Sequence, residues 1–141
     1  MSGLPPPAPG PRPDAPAPRA LLVDDEEVIR RALRRFFQRQ GWTVDEAGDG
    51  ASALALLLAV EAPVYDLILT DLRMPGLSGE DLYDRVAAER PALAARIVVS
   101  TGDSFTPEAS RFLQRSGCAV LNKPFEFAEL RAVVERVAGR P

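Results

Sequence analysis

Asp24, Asp25, Asp71 and Lys123 are the residues of this chain whose types and positions could do chemistry. Asp71 closes the apolar run Val64-Tyr65-Asp66-Leu67-Ile68-Leu69-Thr70-Asp71, which reads as a buried strand with a carboxylate at its C-terminal end. Asp24 and Asp25 close an earlier run, Ala20-Leu21-Leu22-Val23. Ligands of an open parallel sheet bind in the crevice outside the carboxyl ends of its strands. If the two strands are neighbours, the three carboxylates share that crevice. Oxygen ligands of this kind suit Mg2+, which keeps several waters and accepts a phosphate oxygen beside one or two carboxylates. An ionised Asp71 is also a competent nucleophile toward phosphorus, giving an acyl phosphate. Without a cation the charges repel, and at least one carboxylate should hold its proton more tightly. The simpler reading makes Asp24-Asp25-Glu26-Glu27 helix-capping acids, which explains one of the four well and leaves the rest.

Lys123 is the only lysine; the other sixteen basic residues are arginines. It follows the short apolar run Ala119-Val120-Leu121 and precedes Pro124, again at a strand's carboxyl end. A lysine there could balance incoming phosphoryl oxygens, since such transfers depend on positioning and charge neutralisation. Thr101, in Val98-Val99-Ser100-Thr101-Gly102, could donate a hydroxyl hydrogen bond to the same group, with Gly102 permitting close backbone approach. Ser100 competes for that role.

Bulk composition narrows the classes. The 141 residues suit one domain of soluble, globular composition, and a net charge of −3 argues against nucleic acid or an anionic membrane as a direct partner. No apolar run approaches the roughly 20 residues of a spanning helix, and no secretory signal opens the chain. The single cysteine, Cys118, fits a reducing cytoplasm. The chain has no histidine, which excludes histidine-based general acid–base catalysis and histidine-ligated zinc. Any phosphohistidine must belong to another protein.

The elements that would position these groups follow from periodicity. Residues 1–19 hold eight of the fourteen prolines and read as an extended spacer. The folded part, 20–139, opens with a strand at Leu21–Val23. Val28, Ile29, Ala32, Leu33 and Phe36 then mark the buried face of a helix, with Arg30, Arg31, Arg34 and Arg35 opposite. Trp42–Glu46 reads as an edge strand, Ala51–Val60 as a helix ended by Pro63, and Leu67–Thr70 as the third strand. Gly79–Ala88 is a helix, Arg96–Ser100 a strand, and Thr106-Pro107-Glu108 an N-cap opening a helix to about Ser116. Ala119–Leu121 is the fifth strand, and Leu130, Val133, Val134 and Val137 mark the last helix. Five strands alternating with five helices imply an α/β fold with a parallel sheet covered on both faces.

Val23-Asp24-Asp25-Glu26, Asp71-x-x-Met74-Pro75-x-x-x-Gly79, Ser100-Thr101-Gly102 and Lys123-Pro124-Phe125 together resemble the receiver domain of two-component response regulators, of the CheY-like superfamily. The resemblance runs from about Arg19 to Gly139. It implies a flavodoxin-like (βα)5 sandwich of strand order 2-1-3-4-5. It implies that Asp71 is the phosphoacceptor, that Asp25 and Asp71 hold Mg2+ directly, and that Asp24 acts mainly through water. The Arg73 backbone carbonyl would add a ligand. Thr101 would be the switch hydroxyl and Lys123 the phosphate-binding lysine, with a cis Lys123-Pro124 bond. Implied partners are a histidine kinase or histidine phosphotransfer protein, and a weak homodimer of the family type.

Val120 stands where such domains often carry an aromatic switch residue, so coupling from Thr101 to an aromatic is in question. The spacer and the absence of a recognisable effector are similar to receivers attached to hybrid histidine kinases; a stand-alone receiver is the near alternative. A phosphorelay intermediate or phosphate sink without regulated output is a second function. A small-molecule phosphatase of the haloacid-dehalogenase type wants an acid two residues after the nucleophile, where this chain has Arg73. An interaction module that has lost phosphorylation is disfavoured by the complete set of acids, hydroxyl and lysine. Arg73 and Asp103, each two residues beyond a site residue, are expected to pair across the site and obstruct water.

Overall fold

The computed structural model describes residues 16–102 and 106–139. Five parallel strands form one sheet: β1 Arg19–Val23, β2 Thr43–Ala47, β3 Leu67–Asp71, β4 Ile97–Thr101 and β5 Ala119–Asn122. Their order is β2-β1-β3-β4-β5, the expected 2-1-3-4-5, and β2 lies at an edge as its alternation suggested. Six helices cover the sheet: α1 Glu27–Arg39, α2 Gly50–Leu58, α3 Gly79–Glu89, α4 Pro91–Ala94, α5 Pro107–Ser116 and α6 Phe127–Ala138.

Strand composition follows from burial on both faces. In β1, β3 and β4 nearly every side chain is buried, and alternate residues feed two separate cores. Leu21, Val23, Ile68, Ile97 and Val99 face α2, α3 and α5, where Leu57, Leu82, Val86 and Phe112 close the layer. Ala20, Leu22, Leu67, Leu69 and Val98 face α1 and α6, packed by Leu33, Phe36, Phe37, Leu130 and Val134. Continuous apolar runs are what a doubly covered parallel sheet demands.

Several expectations shift. A sixth helix, α4, occupies the turn after α3, because Pro91 opens a single helical turn instead of only ending the previous helix. α2 stops at Leu58 rather than Val60: Ala59 is extended, with ψ 143°, and Arg90 Nη2 donates to its carbonyl at 3.1 Å. On α1 the buried residues are Leu33, Phe36 and Phe37, whereas Val28 and Ala32 are exposed. Arg30 and Arg34 turn inward and both hold Glu46 of β2, at 3.2 and 2.6 Å. The predicted α5 start is observed, Thr106 accepting from the Ala109 N–H at 3.2 Å. The folded part also reaches back into the expected spacer, since the Pro18 carbonyl accepts from Thr43 N–H at 2.8 Å.

Candidate functional site at the carboxyl edge

Neighbouring β1 and β3 pair Val23 with Thr70, so the residues that follow them emerge side by side. Asp24, Asp25 and Asp71 consequently offer carboxylate oxygens that all lie within 4.8 Å of one another. β3 and β4 pair Asp71 with Ser100, and β4 and β5 pair Thr101 with Asn122. Thr101 and Lys123 thereby arrive at the same edge, tied by Lys123 N–H donating to the Thr101 carbonyl at 2.9 Å. The Lys123-Pro124 bond is cis, as the resemblance implied.

Lys123 Nζ reaches across the edge to Asp71 Oδ2 at 3.1 Å and to Asp24 Oδ2 at 3.5 Å. Burial works against the Lys123 charge, but Asp71 and then Asp24 outweigh it, and its pKa is raised. Asp71 is half-buried, and its Oδ1 accepts from the Arg73 N–H at 3.3 Å. Its carboxylate is therefore gripped on both oxygens while one side faces solvent.

Asp24 is 3 % exposed. Burial is the main cause of its raised pKa; the Glu26 N–H and Lys123 oppose it, and Asp71 and Asp25 add to it. The expected upward shift is present, with burial ahead of repulsion as its cause. Asp24 also answers the capping question: its Oδ1 accepts from Glu26 N–H at 2.9 Å, while Glu26, the N-cap of α1, makes no side-chain cap. One aspartate steadies the chain entering α1; Asp25, exposed, has no such duty.

Three observations refine the sequence reading. A Cβ at Gly102 would meet no described protein atom within 4 Å. Two glycines have no room for a Cβ: at Gly50 it would collide with the Leu77 carbonyl, and at Gly79, beside the site, it would collide with the Asp71 carbonyl and lie 2.9 Å from Leu72 Cα. The Gly79 N–H also donates to the Leu72 carbonyl at 2.9 Å, folding the loop after β3 back on its strand. Sequence reasoning also missed Arg30, whose guanidinium donates to the Asp24 carbonyl at 2.5 Å; its place opposite Glu46 depends on strand register that no local pattern carries. Ser100 and Thr101 are both buried. Asp103, the expected partner of Arg73, lies outside the described residues. Val120 is half-buried against the core.

The response regulator receiver domain description matches residues 20–135. The chain belongs to that family. It is 34 % identical over 129 residues to the transcriptional regulatory protein PdtaR of Mycobacterium tuberculosis, covering 90 % of this chain and 60 % of PdtaR. It is 36 % identical over 124 residues to the protein PetR of Rhodobacter capsulatus, covering 85 % and 50 %. The chain thus spans about half the length of curated relatives it matches. Among solved structures, the receiver domain of the Pseudomonas aeruginosa sensor histidine kinase PA1611, with a magnesium ion coordinated in its active site cleft, superposes with TM-score 0.74 at 27 % identity, over 88 % of this receiver and 99 % of that one. A response regulator receiver protein of Pseudomonas putida gives TM-score 0.74 at 32 % identity, over 86 % and 98 %. No helix among the described residues is long and apolar enough to cross a membrane.

Proposed function

We propose that Asp71 of this receiver accepts a phosphoryl group from a phosphohistidine on a histidine kinase or histidine phosphotransfer protein. The observation that carries this reading is the Asp71 carboxylate at the end of β3, 3.1 Å from the only lysine and within 4.8 Å of Asp24 and Asp25. A carboxylate oxygen of Asp71 attacks phosphorus; the O–P bond forms as the P–N bond breaks, and the departing imidazole nitrogen takes a proton from solvent. Water later attacks the same phosphorus, releasing inorganic phosphate and restoring the carboxylate. Lys123 balances the charge on the phosphoryl oxygens, and the Thr101 hydroxyl donates to one of them.

The donor set fits Mg2+: three carboxylates crowd one edge with a single ammonium among them, and no softer ligand is in the cluster. Asp25 and Asp71 would hold the ion directly, Asp24 mainly through water, with the Arg73 backbone carbonyl as a further ligand. When bound, the ion neutralises negative charge on the phosphoryl group. The folded receiver, from Pro18 onward, acts as the signalling unit in the cytoplasm, with the proline-rich residues before it as its spacer. Similarity to proteins named as transcriptional regulators favours a response regulator over a relay intermediate without regulated output.

Intact mass of the chain after incubation with acetyl phosphate tests the reading. A single Mg2+-dependent adduct that disappears in Asp71→Ala is expected. An adduct retained by Asp71→Ala, or none in the unsubstituted chain, would reject Asp71 as phosphoacceptor.

A further inference from the structure

Every polar group of Asp24 is engaged. Its N–H donates to the Ala47 carbonyl at 3.2 Å, Oδ1 accepts from Glu26 N–H, and Oδ2 lies 3.5 Å from Lys123 Nζ. Its carbonyl accepts from Arg30 Nη1 at 2.5 Å. That carbonyl lies in the plane of the peptide bond leading into Asp25, so a group that fixes it also fixes where the Asp25 backbone starts. Arg30 is itself aimed from β2. Its Nε donates to Glu46 Oε1 at 3.2 Å, while Arg34 Nη1 occupies Glu46 Oε2 at 2.6 Å. With Oε2 taken, Arg30 does not close the two-pronged fork an arginine often makes on one carboxylate. Its second prong goes to the Asp24 carbonyl instead. The Arg30 side chain is 17 % exposed, against 53 % for Arg31 beside it, which makes it a fixed strut and not a solvated cation.

We propose that Arg30 is a positioning residue for the cation site. Together with Glu46 it fixes the turn between β1 and α1, so that the Asp24 and Asp25 carboxylates are already placed when Mg2+ arrives. The inference rests on the Mg2+-dependent phosphoacceptor reading above and names the part of the chain that prearranges it. The path is short and closed. β1 and β2 pair Leu22 with Glu46 and Val23 with Ala47, so the end of β2 takes hold of Asp24 twice. One hold is the Ala47 carbonyl; the other runs from Glu46 through Arg30. A rival role for Arg30 is charge alone, a guanidinium near three carboxylates that repels an incoming dication. The two roles have opposite signs. Loss of a strut weakens Mg2+ binding, whereas loss of a nearby positive charge strengthens it. Lysine separates them further: it keeps the charge, but its single nitrogen does not span two acceptors that arginine reaches with separate nitrogens.

Calorimetric titration of Mg2+ into the full chain, Arg30→Ala, Arg30→Lys and Glu46→Ala tests this, with Asp45→Ala as a destabilised control at the far end of the sheet. The Mg2+ dissociation constant should rise about tenfold in both Arg30 variants, and in the same direction in Glu46→Ala. Asp45→Ala should bind as the unsubstituted chain does. The Mg2+ concentration giving half-maximal phosphorylation by acetyl phosphate should rise by the same factor. The rate at saturating Mg2+ should stay within about threefold, because Asp71 and Lys123 are untouched. Circular dichroism checks the fold of each variant, and Arg30→Lys and Glu46→Ala carry the test if Arg30→Ala unfolds. Tighter or unchanged binding in the Arg30 variants, or a matching loss in Asp45→Ala, would overturn the inference and leave the phosphoacceptor reading standing. An unsubstituted chain that binds no Mg2+ would remove both.

Discussion

The two ends of the sheet use similar polar groups to opposite purposes. Near the amino end, Asp45 of β2 accepts from the buried Tyr65 hydroxyl at 2.7 Å and from Arg19 Nη1 at 2.9 Å. Arg19 N–H donates to Asp66 Oδ2 at 2.9 Å, and the Asp66 N–H returns to the Arg19 carbonyl at 2.8 Å. Those groups complete one another. At the carboxyl end, Asp24, Asp25 and Asp71 converge with Lys123 as the cation that reaches two of them. One end is a closed network that stabilises; the other carries surplus negative charge that a divalent cation would complete. The proposed function sits where the fold leaves its electrostatics unfinished.

This contrast can be broken by substitution. Lys123→Ala has the largest expected effect after loss of Asp71 itself: phosphorylation by acetyl phosphate should slow about 10²-fold, with the circular dichroism of the folded chain retained. An unchanged rate would show that the lysine balances resting charge only. Gly79→Ala places a methyl against the backbone of Asp71 and Leu72. It should cost about 1–3 kcal/mol in urea unfolding and slow phosphorylation as well; a neutral result would mean the loop after β3 yields freely.

Asp45→Ala acts at the other end. It leaves the Tyr65 hydroxyl buried without its acceptor and should cost about 1–3 kcal/mol, with the phosphorylation rate unmoved. A change in rate there would join the two ends and dissolve the contrast. The smallest effect is alkaline. Burial, the first cause in each case, raises the pKa of Tyr65 and of Cys118, the thiol to about 12. The native chain therefore keeps protons that the unfolded chain releases, so stability falls as pH rises above the ordinary thiol value of 9.0. Urea midpoints flat from pH 7 to about pH 9 and declining beyond are expected, and a midpoint that rises above pH 9 would contradict the burial of both groups.

Much of the carboxyl end was legible because its residues announce themselves locally. Asp71 and Lys123 each end an apolar run, and parallel topology carries strand ends to one edge. Thr106-Pro107-Glu108 shows its helix start in three residues. What depended on register was hidden. Arg30 and Arg34 look like a solvated stripe until β2 brings Glu46 opposite them. Tyr65, Asp45 and Arg19 are 20 and 26 residues from their partners, and no periodicity links them. Gly79 could be placed at a helix start, but its collision with the Asp71 carbonyl is a fact of loop geometry. Val60 looked like the end of a helix because apolar spacing continued through it; the extended Ala59 stopped that helix first.

Calorimetric titration of Mg2+ into the unsubstituted chain, Asp25→Asn and Asp45→Asn tests the central claim most directly, because Asp25 has no structural duty at its end of the sheet. Saturable binding that is lost in Asp25→Asn and kept in Asp45→Asn is the predicted result, with Mg2+ at ten times its dissociation constant stabilising the fold by about 1.4 kcal/mol. Absence of binding, or equal binding by all three chains, would contradict a cation site at the carboxyl edge.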